Sequence, residues 1–277
     1  MTLAVVGHVE WVDFVVAPRL PGVGEIVQAR GGHEAAAGGG AMAAYAMRSL
    51  TGGCAFYCAV GGDQRAAWTV DGLREAGVDL RAAVHPGRAQ RRTITHLTDD
   101  GERTITVVGE PLEPRGDDAL PWDELASCAG VLVVTGDAGA IRAARAAGVL
   151  VATPRARAGL LEAGVAVDAL VGSANDPDDV LDDALLAATR PRFIVQTAGS
   201  RGGTWRGADG TTGRWDAAPL PGKPIDAFGC GDAFAASLTA SLSAGHSITS
   251  ACTLAAHIGA AVLCERAPSV GDLSRWW

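Results

Sequence analysis

Short apolar segments alternate with alanine-rich segments along most of the chain, and this alternation constrains the fold more than any other feature. The apolar segments are bounded by Gly, Pro or polar residues and lie at residues 3–7, 55–60, 130–135, 149–153, 169–171 and 192–197. Helical spacing is found between or after them, at residues 40–50, 66–76, 138–147, 177–188, 232–244 and 249–263. Such alternation indicates right-handed connections and a mainly parallel central sheet with helices on both faces. The predicted class is a three-layer α/β/α fold.

Two stretches, at residues 11–28 and 92–108, break the alternation. In the second, Thr and Ile alternate on either side of Asp99-Asp100-Gly101-Glu102, which is a hairpin signal with an Asp-Gly turn. We expect this charged turn to face solvent and assign no catalytic role to Arg103. The two stretches predict a small β-sheet lid, formed by about residues 11–33 and 88–108. Because exposed small sheets can pair, a homodimer through the lid is a further expectation.

Composition narrows the classes of function. The net charge is -8, and Lys223 is the only lysine among 23 basic residues, which are scattered along the sequence. Nucleic acid and anionic membrane surfaces are therefore not expected partners. The six cysteines form no Cys-x-x-Cys pair, the amino-terminal segment lacks a basic leader, and no apolar stretch reaches the ~18 residues of a membrane span. We expect reduced thiols in a cytoplasmic protein with one domain spanning residues 1–277.

The most informative segment is Asp226-Ala227-Phe228-Gly229-Cys230-Gly231-Asp232-Ala233-Phe234, which leads into a long apolar helix. A Gly-x-Gly turn at the amino end of a helix exposes successive backbone N–H groups, and the helix dipole adds partial positive charge, so the turn favours an anion. A carboxylate there does not help phosphate binding, but it suits a base that takes a proton from an attacking hydroxyl. The other interpretation is that Asp232 caps the helix and the glycines form a tight turn.

Gly229-Cys230-Gly231-Asp232 resembles the Gly-Ala-Gly-Asp signature of the ribokinase-like, or PfkB, family of carbohydrate kinases. The positions that match that signature in spacing are Asp226, Gly229, Gly231, Asp232 and Phe234, and those that depart from it are Ala227, Phe228 and Cys230. The resemblance implies a ribokinase-like fold and ATP as the phosphoryl donor. It also implies that Asp232 is the catalytic base and that the backbone N–H groups of Gly229, Cys230 and Gly231 form an anion hole.

The amino-terminal part matches the family's substrate-binding landmarks. Asp13 corresponds to an acidic residue that binds substrate hydroxyls, and its other interpretation is a solvated carboxylate at a strand edge. Residues 38–44 are similar to the Gly-Gly-x-Gly-x-Asn-x-Ala segment of the sugar site, so Gly38 and Gly39 would line that site unless they only allow close helix packing. Met42 replaces the Asn. Because a thioether cannot form the bonds that a sugar hydroxyl needs, a less polar or differently shaped alcohol is possible.

The carboxy-terminal part matches the landmarks for nucleotide and metal. Residues 197–203 resemble a Thr-x-Gly-x-x-Gly turn near the nucleotide phosphates, through Thr197, Gly199 and Gly202, although a plain turn at a strand end is the alternative. His257 lies within one position of an Asn found beside adenine, or is simply a helix residue. Asp176 matches the Glu of an Asn-x-x-Glu element that organises Mg²⁺ through waters, or else belongs to a helix start.

Together these resemblances imply an ATP-dependent kinase that phosphorylates a hydroxyl of a sugar or sugar-like small molecule, with Mg²⁺ as cofactor. A Walker-type NTPase needs Gly-Lys followed by Ser or Thr, but Lys223 precedes Pro224. A dinucleotide-dependent dehydrogenase needs Gly-x-Gly-x-x-Gly after the first strand, which the sequence lacks. A non-catalytic ligand-binding or regulatory member of the same fold is the alternative, kept open by the departures at Met42, Ser173, Ala227 and Phe228.

Overall fold

The structure is a computed structural model that describes residues 1–98 and 103–277. Its strands are β1 (Leu3–Val6), β2 (Glu10–Val16), β3 (Gly31–Ala37), β4 (Ala55–Val60), β5 (Asp79–Val84), β6 (Arg92–Leu97), β7 (Arg103–Val108), β8 (Gly130–Val133), β9 (Val149–Ala152), β10 (Ala169–Ser173), β11 (Phe193–Thr197), β12 (Gly203–Gly207) and β13 (Thr212–Trp215). Its α-helices are α1 (Gly39–Thr51), α2 (Gln64–Glu75), α3 (Ala138–Ala144), α4 (Arg157–Ala163), α5 (Asp183–Thr189), α6 (Cys230–Ser243) and α7 (Ile248–Val262). In the part of the chain that the structure describes, no helix is both long and apolar enough to cross a membrane.

The main sheet has nine strands in the order β13-β12-β11-β10-β9-β8-β1-β4-β5. All neighbours from β5 to β11 run parallel, and β12 and β13 extend the sheet as an antiparallel hairpin. The apolar segments predicted as strands all lie in this sheet. The predicted mainly parallel α/β architecture is therefore confirmed.

The main sheet separates two hydrophobic cores. Successive side chains of β1 alternate between them, so that Leu3 and Val5 pack with α1, α6 and α7, while Ala4 and Val6 pack with α3, α4 and α5. Each fully buried Val or Leu contributes about 1.5–3 kcal/mol. Burial on both faces explains why the central strands are continuous apolar runs rather than alternating polar and apolar residues.

A second sheet has four strands in the order β3-β2-β6-β7. β2 pairs with β3 in antiparallel and with β6 in parallel orientation, and β6 and β7 form the predicted antiparallel hairpin. The Asp-Gly turn predicted at residues 99–102 lies outside the described residues. This small sheet is the one that the sequence predicts as a lid.

Other elements differ from the sequence predictions. α5 starts at Asp183 rather than at residue 177, because the Asp182 carboxylate accepts the N–H of Leu185 and caps the helix there. The sequence analysis also missed α4, β5 and the β12–β13 hairpin. β5 lies at a sheet edge with polar and partly exposed residues, so it lacks the apolar run that marks the central strands.

Gly40 lets α1 pack directly against the segment that follows β1. A Cβ atom at position 40 would lie 2.5 Å from the backbone oxygen of His8 and 3.0 Å from Cα of Gly7. We predict that Gly40→Ala lowers the free energy of unfolding by about 1–3 kcal/mol, because backbone atoms would have to move. Urea unfolding followed by circular dichroism measures this change.

Gly53→Ala is the matched control, because a Cβ atom at position 53 would meet nothing within 4 Å. Its effect should stay within about 0.5 kcal/mol. Equal stability of the two variants would contradict the packing role of Gly40.

Candidate functional site

The turn that leads into α6 is open to solvent on one side and packed on the other. Gly229 is the N-cap of α6 with φ 80°, a conformation that disfavours any side chain, and a Cβ atom there would lie 2.5 Å from Cε of Met42. A Cβ atom at Gly231, by contrast, would meet nothing within 4 Å. The first-turn N–H groups lack partners within the helix. The turn therefore has the shape and polarity of an anion site.

Asp226 holds this turn in place from within the protein. Its buried carboxylate accepts the N–H of Phe228 at 2.8 Å and that of Ala267 at 3.4 Å. The Cys230 thiol donates to the carbonyl oxygen of Ala227 at 2.8 Å, and burial raises its pKa. These three hydrogen bonds order the loop that precedes the exposed N–H groups.

Asp232 lies in the first turn of α6 and faces the amino end of α1. A Cβ atom at Gly39 would come within 2.9 Å of the Asp232 Oδ1 atom, so a side chain there would displace the carboxylate from its present position. The side chain keeps some accessible surface, yet burial raises its pKa to about 6. The positive charges of Arg155 and Arg103 oppose this rise, and the Asp179 carboxylate adds to it. A carboxylate with such a pKa is a competent base near neutral pH.

His8 follows β1 and lies beside the same glycine. Its Nε2 atom accepts the N–H of Gly39 at 3.2 Å, and its Nδ1 atom lies 3.3 Å from Oγ1 of Thr135. The first bond assigns the proton to Nδ1, which then donates to Thr135. Burial, together with the charges of Arg91 and Arg155, lowers the pKa of His8 to about 3. The ring is therefore neutral at physiological pH and orients α1.

Glu10 places a second buried carboxylate next to the glycines. A Cβ atom at Gly38 would lie 3.3 Å from Cγ of Glu10, and Gly38 has φ 94°. The Glu10 Oε1 atom forms an ion pair of 2.8 Å with Nε of Arg91. Burial raises the pKa of Glu10, while Arg91 and the Thr93 hydroxyl oppose the rise. This cluster is polar, enclosed and suited to binding hydroxyl groups.

Asp13 lies on the opposite face of the small sheet from Glu10. Side chains alternate along a strand, so Asp13 shares its face with Trp11 and Glu34 rather than with Glu10. Its carboxylate forms an ion pair of 3.3 Å with Nε of Arg92, and burial followed by the neighbouring Glu34 raises its pKa. The structure does not bring Asp13 together with the glycines of α1 and Asp232, so its geometry favours Glu10 over the substrate contact that the sequence predicts for Asp13.

Met42 lies in the core rather than on an open surface. Its side chain is 0% exposed and fills the space beneath Gly229. The residue that replaces the family's Asn therefore packs beneath the α6 turn. A substrate could contact the Met42 side chain only if this packing opened.

The residues assigned to the nucleotide lie at the end of β11. Thr197 is its last residue, and Gly199 and Gly202 follow with positive φ angles of 58° and 77°. A Cβ atom at Gly202 would lie 2.1 Å from the backbone oxygen of Trp215, which explains the glycine there. His257 lies on α7 and stacks on Trp276, with ring centroids 5.1 Å apart. No side-chain hydrogen bond or ring contact links His257 to the β11 turn in the described chain.

Two carboxylates follow β10, and they have different surroundings. Oδ2 of Asp176 forms an ion pair of 2.9 Å with Arg155, and Oδ1 accepts the N–H of Asp178. Asp179 accepts the N–H of Ser173 with Oδ2, while its buried Oδ1 has no hydrogen-bond partner among the described residues. Burial raises the pKa of Asp179. Asp179 was not predicted from the sequence, yet its charge acts on Asp232.

Arg103 reaches the α6 turn from the small sheet. Its NH1 group donates to the carbonyl oxygen of Ala227 at 2.7 Å. The side chain thus lies beside the α6 turn. The sequence analysis expected the charged hairpin turn next to Arg103 to face solvent and gave Arg103 no role. Its charge opposes the rise that burial causes in the pKa values of Cys230 and Asp232.

Topology brings together residues that the sequence alone does not link. Six of the residues predicted from the sequence lie where the amino ends of α1 and α6 meet: Gly38, Gly39, Gly229, Cys230, Gly231 and Asp232. The sequence analysis missed His8, Glu10, Arg103, Arg155 and Asp179. His8, Arg155 and Asp179 follow β1, β9 and β10, and the carboxyl ends of parallel strands meet at one edge of the sheet. Their position directly after predicted parallel strands was the sequence signal that could have identified these three residues.

Comparison with known proteins places this geometry in context. Residues 167–273 match the pfkB family of carbohydrate kinases. A ribokinase from Thermotoga maritima superposes with a TM-score of 0.79 at 15% identity, over 100% of this chain and 99% of that one. A microbiome-derived acarbose kinase gives 0.79 at 23% identity, over 99% and 98%. A ribokinase from Arabidopsis thaliana complexed with ribose and ATP gives 0.72 at 18% identity, over 99% and 98%.

None of the curated proteins matches the sequence. At identities below 25%, the solved structures establish the fold. The chain therefore has the ribokinase-like fold, and its resemblance to the pfkB family of carbohydrate kinases is confirmed, in sequence over residues 167–273 and in fold over its length.

Proposed function

We propose that this protein is an ATP-dependent kinase that phosphorylates a hydroxyl group of a sugar or sugar-like small molecule. The observation that carries the proposal is the Asp232 carboxylate, held at the open amino end of α6 with a pKa of about 6. A helix amino end attracts phosphate, and a carboxylate beside it is suited to taking the proton of an attacking hydroxyl. The pfkB match over residues 167–273 supports the same assignment.

ATP would bind along the carboxyl edge of the main sheet. Its γ-phosphate would accept hydrogen bonds from the backbone N–H groups of Gly229, Cys230 and Gly231, as phosphates do at helix amino ends. Thr197, Gly199 and Gly202 would approach the other phosphates, and His257 would lie towards the adenine. Support comes from the solved relative whose complex contains ribose and ATP.

Transfer requires one proton movement and one displacement at phosphorus. Asp232 accepts the proton of the acceptor hydroxyl as its oxygen forms a bond to the γ-phosphorus. The bond between that phosphorus and the oxygen bridging to the β-phosphate breaks, and ADP leaves with the electron pair. The N–H groups of the α6 turn stabilise the negative charge on the transferring oxygens.

The acceptor would bind between α1 and the small sheet. The backbone at Gly38 and Gly39 lies close to the side chains of Glu10 and Asp232. Glu10 would offer a carboxylate to hydroxyl donors of the acceptor. A polyol or sugar fits these groups, because it presents several donors to a buried acidic acceptor. The small sheet would act as a lid that excludes water and so limits ATP hydrolysis.

Mg²⁺ fits the carboxylates that follow β10. The described residues contain no group of three or more His, Cys, Asp or Glu side chains that could hold a metal, but Asp179 has one buried oxygen without a hydrogen-bond partner. This arrangement suits an ion that keeps several waters and binds mainly to substrate phosphates. Asp179 and Asp176 would hold it through water, and it would offset charge on the phosphates.

A homodimer through the small sheet and a cytoplasmic location belong to the same proposal. The edge strand β7 is exposed along its length, including the apolar side chains of Ile105, Val107 and Val108. An uncovered strand edge of this kind can pair with a second copy. Sedimentation of the purified protein would measure its oligomeric state.

The direct test is ester formation from ATP across a panel of sugars, polyols and nucleosides, read by ADP release and by mass spectrometry of the product. The proposal predicts acceptor-dependent ADP release and one phosphate ester. The buried Met42 and the substitutions at Ala227 and Phe228 favour a second candidate, a non-catalytic ligand-binding member of the fold. Nucleotide or sugar binding without any ester would support that candidate instead.

We predict that Asp232→Asn lowers kcat by about 10²–10⁴-fold, because the amide cannot accept the proton. The binding of ADP should change little. The variant should also unfold at the same or a higher temperature at pH 8, since burial disfavours the ionised carboxylate. Steady-state kinetics and calorimetry measure these effects, and full activity of Asp232→Asn would rule out the base.

We predict that kcat/KM falls about tenfold per pH unit below a midpoint near pH 6 and is constant above about pH 7. Asp232 must be ionised to act as a base, and its raised pKa sets this limb. His8, with a pKa of about 3, adds no limb in this range. Arg155→Gln should move the midpoint upwards, because the arginine charge lowers the pKa of Asp232. A flat profile between pH 5 and 7 would oppose the assignment.

We predict that Glu10→Gln raises the acceptor KM by about 10–100-fold with a smaller effect on kcat, because hydroxyl donors lose a charged acceptor. Asp13→Asn should change the KM by less than about threefold, since Asp13 lies on the other face of the sheet. The reverse pattern would show that the family's acidic residue at Asp13 binds substrate after all. Initial rates at saturating ATP separate the two.

A further inference from the structure

A second cleft lies outside the candidate functional site. It is enclosed by α1, α2, the small sheet and the loop at residues 268–271, and its volume is about 750 Å³. Trp11, which lines this cleft, follows Glu10 in β2, so the two side chains lie on opposite faces of the small sheet. The cleft is therefore separate from the space beside Gly38 and Gly39, where the acceptor is proposed to bind.

Two indole rings stand together in this cleft. The ring centroids of Trp11 and Trp68 are 5.5 Å apart, their planes are inclined by 43°, and Trp68 is 44% exposed. The arginine contacts with aromatic rings in the described residues lie elsewhere, over Phe193 and Trp276. The face of an indole ring attracts cations more strongly than that of any other aromatic side chain. The ring pair therefore forms part of an aromatic cage for a cation that the described chain does not supply.

Carboxylates line the same cleft. Oε2 of Glu34 accepts the Nε1–H of Trp11 at 3.2 Å, so this carboxylate lies at the ring pair. Asp71 and Glu75 follow Trp68 by three and seven residues in α2, which places all three side chains on one face of the helix over about 10 Å. In the described part of the chain, the side chains of Asp71 and Glu75 form no hydrogen bond or ion pair. Both carboxylates are therefore available to a ligand.

The cations near this cleft are engaged by other groups. Arg48 lines it, but its Nε–H donates to the carbonyl oxygen of Gly77 at 2.8 Å, beyond the carboxy end of α2 and about two and a half turns from Trp68. Arg92, on the same face of the small sheet, forms an ion pair of 3.3 Å with Asp13. The lining thus combines three carboxylates, one distant guanidinium and two aromatic rings.

We propose that this cleft binds an organic ammonium ion, with its cationic centre against the rings of Trp11 and Trp68 and beside Glu34. The carbon substituents of such an ion lose water on the indole faces, while the carboxylates balance its charge. A metal ion fits less well, because it would gain nothing from the rings, and the described residues contain no group of three or more His, Cys, Asp or Glu side chains that could hold one. The site does not depend on the proposed kinase function.

Calorimetric titration of the native protein with choline tests the proposal, because choline carries a quaternary ammonium group. Its uncharged counterpart of the same shape, 3,3-dimethylbutan-1-ol, is the control ligand. We expect a Kd for choline of about 1 mM or tighter, and binding of the alcohol that is weaker by about tenfold or more. Saturation of the indole protons should also transfer to the choline methyl groups in NMR spectra. Equal binding of the two ligands, or no binding of choline up to about 20 mM, would overturn the proposal.

Three variants locate the bound choline. Trp68→Leu keeps an apolar side chain but removes the ring, and Glu34→Gln removes the charge, so each should raise the Kd about fivefold or more. Trp277→Leu is the matched control, since Trp277 is 46% exposed and lies outside the cleft, and it should change the Kd by less than about twofold. The unfolding temperature of Trp68→Leu should agree with that of the native protein, because the side chain is exposed.

Unchanged choline affinity in Trp68→Leu would place the ligand elsewhere and contradict the proposed site. If the native protein binds no choline but forms a phosphate ester from ATP, the ammonium site is wrong and the kinase proposal stands.

Discussion

The site depends on the close approach of two helix amino ends, which is possible because three glycines lack side chains. Gly40 lets α1 pack on the backbone after β1, Gly39 leaves room for the Asp232 carboxylate, and Gly229 packs on Met42. The approach places a carboxylate beside backbone N–H groups that favour anions. A Cβ atom at Gly39 or Gly229 would meet a side chain of the other helix, and any loss of burial would lower the raised pKa of Asp232.

The charges around Asp232 explain how a buried acid can serve as a base near neutral pH. Burial alone would raise its pKa, and nearby positive charges favour the ionised form and lower it. Arg155 and Arg103 supply that opposition, Asp179 works against it, and burial prevails with a pKa of about 6. His8, kept neutral by burial, adds no competing charge. The balance leaves Asp232 ionised at pH 7 but basic enough to accept a proton.

The sequence predicted the main sheet well because its buried parallel strands are continuous apolar runs. It predicted the α6 turn because Gly229-Cys230-Gly231-Asp232 is a local signal. Glu10 was missed, since the face that a strand residue occupies depends on register, and Asp13 looked equally suitable from its position alone. Arg155 and Asp179 join the site through the order of strands rather than through any local pattern, and the Arg103 contact depends on how the small sheet lies against α6.

The central claim is that the α6 turn binds the phosphate to be transferred and that Asp232 faces the acceptor hydroxyl. A crystal structure with a non-hydrolysable ATP analogue and an acceptor tests it most directly. The account predicts the γ-phosphate within hydrogen-bonding distance, about 2.7–3.2 Å, of N–H groups from Gly229 to Gly231, and the acceptor oxygen equally close to Asp232. A nucleotide bound with its γ-phosphate away from this turn, or an acceptor out of reach of Asp232, would contradict it.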